Sequence, residues 1–215
     1  MKHFLKTTRG ASLVDYGILV GLVAVSAISA VALLGDRVNF GFRVAEQELW
    51  MVMNEEANFL ENGDFDDATG MEAKNFGFSS GSLEGWRSEN GLPFELHNSG
   101  HQGMESVNGG YWLDMGASPG AMHISQDIDD LISGWIYTIT LFAGDRNPNL
   151  TNETWVFWNG TKIGELKATE TDVMEEFRFH GEARSGVNTL SLMEVSEGEN
   201  DNDGMSIDVV RIWGR

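Results

Sequence analysis

The side chains of this chain best equipped for chemistry are carboxylates and aromatic rings. Of 215 residues, 33 are Asp or Glu and 14 are Lys or Arg, with seven Trp, twelve Phe and no Cys. An exposed ring flanked by polar groups can stack on the apolar face of a sugar. Trp86, His97, Tyr111, Trp112, Trp155 and Trp158 are the candidates. His97, His101 and His123 could ligate a metal ion. The run EGENDNDG at 197–204 holds Asp201-x-Asp203-Gly204, part of a calcium-loop spacing without the full EF-hand pattern. Without cysteine there is no disulfide and no Cys-type zinc site, so an oxygen-ligated hard cation is the natural staple. No ordered His-Asp-Ser triad around a nucleophile elbow, no phosphate loop and no HExxH is legible. With this many carboxylates, pairs of acids say nothing about glycosidase chemistry. The chain reads as a non-enzyme.

The charge is unevenly placed. Residues 1–43 carry five basic side chains against Asp15 and Asp36, whereas the remainder carries nine basic residues against 31 acidic ones. So acidic a body excludes nucleic acid as a partner, because binding there requires cations that displace counterions from phosphates. Its apolar bulk separates it from disordered chains.

Three textures must position these groups. Residues 1–10 (MKHFLKTTRG) are short and basic. Tyr16 to Gly35 is a run of twenty uncharged residues, in helical form about 30 Å long, the thickness of a bilayer core. The basic lead places the N-terminus on the cytoplasmic side and exports the body. Beyond Gly35, Val38, Phe42, Ala45, Leu49 and Val52 or Met53 keep helical spacing without a proline. The expectation is one helix from about Ser12 to about Glu56, on the order of 65–70 Å long, apolar all round at first and amphipathic later.

From Phe59 the pattern shortens. GYWLDMG, AMHISQDI, GWIYTITLFAG, ETWVFWNGTKIGEL, EEFRFHGEA, VNTLSLMEV and MSIDVVRIW read as strands, separated by the turn signals NGG, SPG, DRNPN, NGT, SG and DNDG. Many short strands so spaced predict a β-sandwich or jelly roll. The expected class is therefore α+β, with a long N-terminal helix followed by an all-β jelly roll. The segments are 1–10, 11–57 and 59–215.

The run RGASLVDYGILVGLVAVSAISAVALLGDRV resembles the N-terminus of type IVb pilins of the Flp class, the subunits of tight-adherence pili. Their pattern is a basic leader ending in Gly, cleavage there, an acid at the fifth mature position, Tyr at the sixth, and an apolar helix. Gly10, Ala11, Asp15 and Tyr16 fall on these positions. The family usually has Glu where this chain has Asp15, and its members are usually little more than the helix. The resemblance covers roughly residues 1–55. It implies cleavage by a prepilin peptidase after Gly10 and residence in the inner membrane before assembly. A filament of identical subunits, built by the pilus assembly machinery and exposed outside the cell, would follow. The physics agrees: a carboxylate at the edge of a membrane helix is costly unless paired, and cleavage would create an amine on Ala11 able to pair with Asp15. Small residues at Gly17, Gly21, Ala24, Ala27 and Ala30 would let such helices approach closely.

The body resembles galactose-binding-like jelly rolls, the group that includes many carbohydrate-binding modules. The resemblance rests on Asn62-Gly63-Asp64-Phe65-Asp66, Gly85-Trp86, Leu113-Asp114, Ile124-Ser125-Gln126, Gly134-Trp135-Ile136-Tyr137 and Ile207-Asp208-Val209. It implies a structural Ca²⁺ held by Asp66 in the opening turn and Asp208 on the closing strand. Surface glycans would be the partners, with Trp86, His97 and Tyr111 as contact residues. The function so implied is that of a pilus subunit displaying a β domain for adhesion or glycan binding. The alternatives are a membrane-anchored carbohydrate-binding module that does not polymerise and, further off, a glycan-active enzyme.

Overall fold

The computed structural model describes residues 58–116, 120–195 and 203–214. They form twelve strands: β1 (Glu72–Lys74), β2 (Gly77–Ser80), β3 (Arg87–Ser88), β4 (Phe94–Asn98), β5 (Tyr111–Asp114), β6 (His123–Ile128), β7 (Ile136–Gly144), β8 (Thr154–Trp158), β9 (Thr161–Leu166), β10 (Glu175–Glu182), β11 (Asn188–Glu194) and β12 (Ser206–Gly214). They build a seven-stranded sheet, in the order β1-β2-β4-β5-β12-β7-β10, and a five-stranded sheet, in the order β3-β6-β11-β8-β9. Every pairing of these strands is antiparallel.

The α+β expectation is corrected: the described residues are all-β and contain no α-helix. The helical periodicity behind that expectation lies in residues 12–56, which fall outside the described residues, as do Gly10, Ala11, Asp15 and Tyr16. What the described residues carry is two-residue alternation, which places successive side chains on opposite faces of a sheet. Among the described residues no helix is long and apolar enough to cross a membrane.

Alternation builds the core. In β8, Thr154, Val156 and Trp158 point inward while Trp155 and Phe157 lie half-exposed on the other face. In β11, Leu190 and Leu192 are buried and Ser191 and Met193 are half-exposed. From the seven-stranded sheet, Phe94, Leu96, Leu113, Tyr137, Ile139, Leu141, Ile207 and Ile212 meet them in one cluster. The opening loop is tied to the closing strand. Phe59 N donates to Ile212 O (3.1 Å) and Val210 N to Gly63 O (2.7 Å). Asn58 spans the β12 backbone through Nδ2 to Val210 O (3.0 Å) and Oδ1 from Ile212 N (2.9 Å). Strand β12 carries a register shift between Asp208 and Arg211, with Val209 at φ 45°. That bulge redirects Asp208 from a simple ladder position.

Candidate functional site

Two polar clusters are built into the seven-stranded sheet and its loops. The first gathers the acids expected to hold an ion. Asp66 leaves the opening turn and Asp208 leaves β12, and both reach the loop 106–111. Asp66 Oδ1 accepts from Tyr111 N (2.9 Å) and Oδ2 from Asn108 Nδ2 (2.8 Å). Asp208 Oδ2 accepts from Val107 N (2.7 Å) and Oδ1 from Val209 N (2.7 Å). Asp66 lies so close to Gly110 that a Cβ there would sit 1.8 Å from its Oδ1, so a larger residue would push the Asp66 carboxylate aside. Burial pushes the Asp208 carboxyl up to about 6; the three donors Val107, Ser106 and Val209 oppose this, and the charge of Asp66 adds to it. The two acids therefore meet at one loop, Asp208 buried and Asp66 exposed, and their oxygens are the hard donors that calcium takes.

The second cluster lies on the outward face of the same sheet. In β4, Glu95 and His97 alternate with the core residues Phe94 and Leu96. In β5, Trp112 and Asp114 alternate with Tyr111 and Leu113, and His97 pairs in register with Trp112. The imidazole of His97 lies between Trp112 (ring centroids 4.3 Å) and Phe76 (4.7 Å), with His101 edge-on at 4.8 Å. Although this face is outward, His97 is 4% exposed and Asp114 2%. Arg146 closes the cluster. Its Nη2 donates to Asp114 Oδ2 at 2.7 Å and lies 3.4 Å from Asp203, while its guanidinium sits 4.9 Å from the Trp112 ring centroid. Burial pushes the Asp114 carboxyl upward against the pull of Arg146, and burial pushes His101 downward.

The expected stacking residues are not brought together. Trp86 is buried in the core against Phe65 (5.5 Å), its Nε1 donating to Asn62 O. His97 is enclosed as described. Tyr111 is half-buried, edge-on to Phe78 at 5.2 Å. Trp112 and Trp158 are buried too, so neither offers a free ring face. Two half-exposed rings share the outward face of the five-stranded sheet. There Trp155 and Phe157 lie 6.3 Å apart. One row crosses that sheet as His123, Met193, Trp155 and Glu165, and the next as Ser125, Ser191, Phe157 and Lys162. Lys162 Nζ lies 3.9 Å from the Trp155 ring centroid. Alternation in WVFW already puts Trp155 and Phe157 on one face; which face is outward required the second sheet. Trp213, half-exposed near Arg178, and Arg146 were not among the sequence candidates, since nothing local marks either.

Comparison with known proteins concerns the fold. No family model and no curated protein matches the chain. Among solved structures, a family 61 carbohydrate-binding module in complex with β-1,4-galactotriose matches with TM-score 0.53 and 14% identity. That match covers 74% of this chain and all of that one. The C-terminal family 6 module of a marine laminarinase from Zobellia galactanivorans matches at TM-score 0.41 and 15% identity, over 66% and 96% of the two chains. The EclA C-terminal domain, a sugar-binding protein, matches at 0.36 and 18%, with 41% of this chain spanning 64% of that one. The described region is thus an all-β sandwich of the architecture seen in carbohydrate-binding modules.

Proposed function

We propose that residues 58–214 form a non-catalytic glycan-binding module that the N-terminal segment displays on a surface filament. The observation that carries the glycan reading is the architecture, which spans the whole of a module solved with a bound galactotriose. The binding face is the outward side of the five-stranded sheet, where Trp155 and Phe157 supply ring area and His123, Ser191, Lys162 and Glu165 a polar rim. The test is a glycan array on the full chain, with β-1,4-galacto-oligosaccharides as the first probes. A Trp155→Ala/Phe157→Ala protein should bind about tenfold or more weakly, as loss of aromatic contacts of ~1 kcal/mol each requires. Absence of binding to every glycan overturns the reading, and binding untouched by the double substitution overturns the face.

The filament reading is supported by the ordered basic leader, Gly10, Asp15, Tyr16 and uncharged run. Cleavage after Gly10 would free an amine on Ala11 to pair with Asp15. The partners would then be copies of this chain, a prepilin peptidase and the assembly machinery, and the location the inner membrane and afterwards the extracellular filament. A mature chain starting at Ala11 and recovered in sheared fibres is the expected result. A chain starting at Met1 or after Ala30, absent from fibres, would instead favour an anchored module that does not polymerise.

We further propose that Asp66 and Asp208 hold a structural Ca²⁺, with the loop 106–111 closing over it. The Asp66 oxygens each accept one protein hydrogen bond, from Tyr111 N and Asn108 Nδ2, which leaves each a lone pair, and the Asp208 charge lies close by. Chelation should lower the melting temperature; an unchanged melt removes the ion.

A further inference from the structure

His97 is a buried imidazole with no hydrogen bond on either ring nitrogen among the described residues. A buried polar group without a partner is costly and uncommon, so the position of the ring needs a reason. Phe76 and Trp112 hold the ring between them. Its Nε2 is aimed between two carboxylates, 3.6 Å from Asp114 Oδ2 and 3.8 Å from Glu95 Oε2. Those separations are too long for hydrogen bonds. They are close to the distance between two ligands of one small metal ion, since bonds of ~2.0–2.2 Å at tetrahedral angles set donors about 3.3–3.6 Å apart. One donor atom from each of Glu95, His97 and Asp114 lies within 4.8 Å of the others.

We propose that Glu95, His97 and Asp114 form a site for a divalent transition-metal ion of the zinc type. The donor set decides the class. An imidazole nitrogen with two carboxylate oxygens suits zinc and its neighbours, whereas calcium and magnesium take oxygen ligands. The charge agrees: among the described residues Arg146 is the basic side chain paired with this cluster, divided between Asp114 and Asp203, while Glu95 also faces the ring. Arg146 takes the place of an outer partner. It bonds Asp114 Oδ2 and is held in turn by Gln102 Oε1 and the Trp112 face, while Gly116 N fixes Asp114 Oδ1 at 2.9 Å. Such contacts orient a ligating carboxylate. Glu95 is the half-buried member, so the site opens on its side, and three protein ligands leave room there for a fourth from solvent. The site is separate from the proposed glycan face and from Asp66 and Asp208, so its test stands independently of those readings.

The experiment titrates zinc chloride into the chelator-stripped full chain, read by calorimetry and thermal melting. One zinc per chain should bind, and the melting temperature should rise by about 5–10 °C at a hundredfold excess over Kd. Glu95→Gln and His97→Gln should each weaken binding at least tenfold. His97 is buried and its substitution can compromise folding, so Glu95→Gln, at the open edge, carries the decision provided that its melt is cooperative. Lack of stoichiometric binding up to millimolar zinc overturns the site, as does unchanged affinity in the folded Glu95→Gln protein. Displacement of zinc by equimolar calcium overturns the metal class.

Discussion

The two polar clusters of the seven-stranded sheet make different use of similar side chains. At Asp66 and Asp208, every carboxylate oxygen meets an N–H donor at 2.7–2.9 Å, three from the backbone and one from Asn108. At Glu95, His97 and Asp114, the imidazole meets no donor or acceptor within hydrogen-bond reach, and Asp114 takes one guanidinium N–H from Arg146 and one backbone N–H from Gly116. The first arrangement folds a loop onto the closing strand, because fixed backbone dipoles are aimed at charge that burial would otherwise penalise. The second leaves charge and a lone pair facing a common point, which is the condition under which a cation adds most. Burial of Asp208 is thus offset by backbone amides, and burial of Asp114 by the Arg146 charge together with one backbone amide, Gly116 N.

Arg146→Met removes the cation beside Asp114 where both side chains are about 95% or more buried. Stripping one partner from such a pair should cost about 3–5 kcal/mol, or roughly 10 °C in the thermal melt; a shift under 2 °C would show that Arg146 is not the counter-charge.

Another buried acid, Glu194, is met by a hydroxyl and an amide donor. Thr154 Oγ1 and Met205 N donate to it, yet burial pushes its carboxyl up to about 8. The folded state then keeps a proton that the unfolded chain releases near 4.5, so stability is full below that value and falls as pH rises towards 8. Asp208, raised to about 6, adds to the same slope at its lower end. The melting temperature should be several degrees higher at pH 5 than at pH 8.5. Glu194→Gln should flatten that difference and gain on the order of 2–4 kcal/mol at the alkaline end. An unchanged slope in the variant would assign the pH dependence elsewhere.

Asp208→Asn sets an amide N–H against the backbone donors of Val107 or Val209. It should cost about 1–3 kcal/mol by denaturant melting, less than Arg146→Met because the loop also keeps its bonds to Asp66. Parity between the two variants would erase the distinction drawn between the clusters. Trp155→Ala lies outside both, on a half-exposed face. It should change stability by no more than about 1 kcal/mol while weakening glycan binding. A larger loss of stability would make Trp155 a packing residue.

The seven stretches read as strands cover the eight strands β5 to β12, ETWVFWNGTKIGEL holding both β8 and β9, because in each the alternation of apolar and polar residues is long enough to register. β1 to β4 were not legible. They run two to five residues: GFSS has no β-branched residue, and the alternation of FELHN is too short to stand out. Their pairing comes from partners distant in sequence: Arg87 and Ser88 are strand only because Ser125 and Ile124 lie beside them. The convergence of Asp66 and Asp208 on one loop was visible through resemblance alone, since 142 positions separate them and no spacing rule connects them. Trp86 and His97 were chosen for ring chemistry, and the fold buried both, because exposure depends on what the opposite sheet and the loops cover.

The amino-acid sequence by itself determined the acidity of the body, the absence of cysteine chemistry, the change from an uncharged run to short alternating strands, and the pairing of Trp155 with Phe157 on one face. These are local quantities, set by composition and by the two-residue period of a strand. Only the tertiary structure decided which face of each strand looks inward, which acids are met by amides, and that Glu95, His97, Asp114 and Arg146 share one site. Those depend on the order of strands in a sheet, where residues far apart in the chain become neighbours about 5 Å apart.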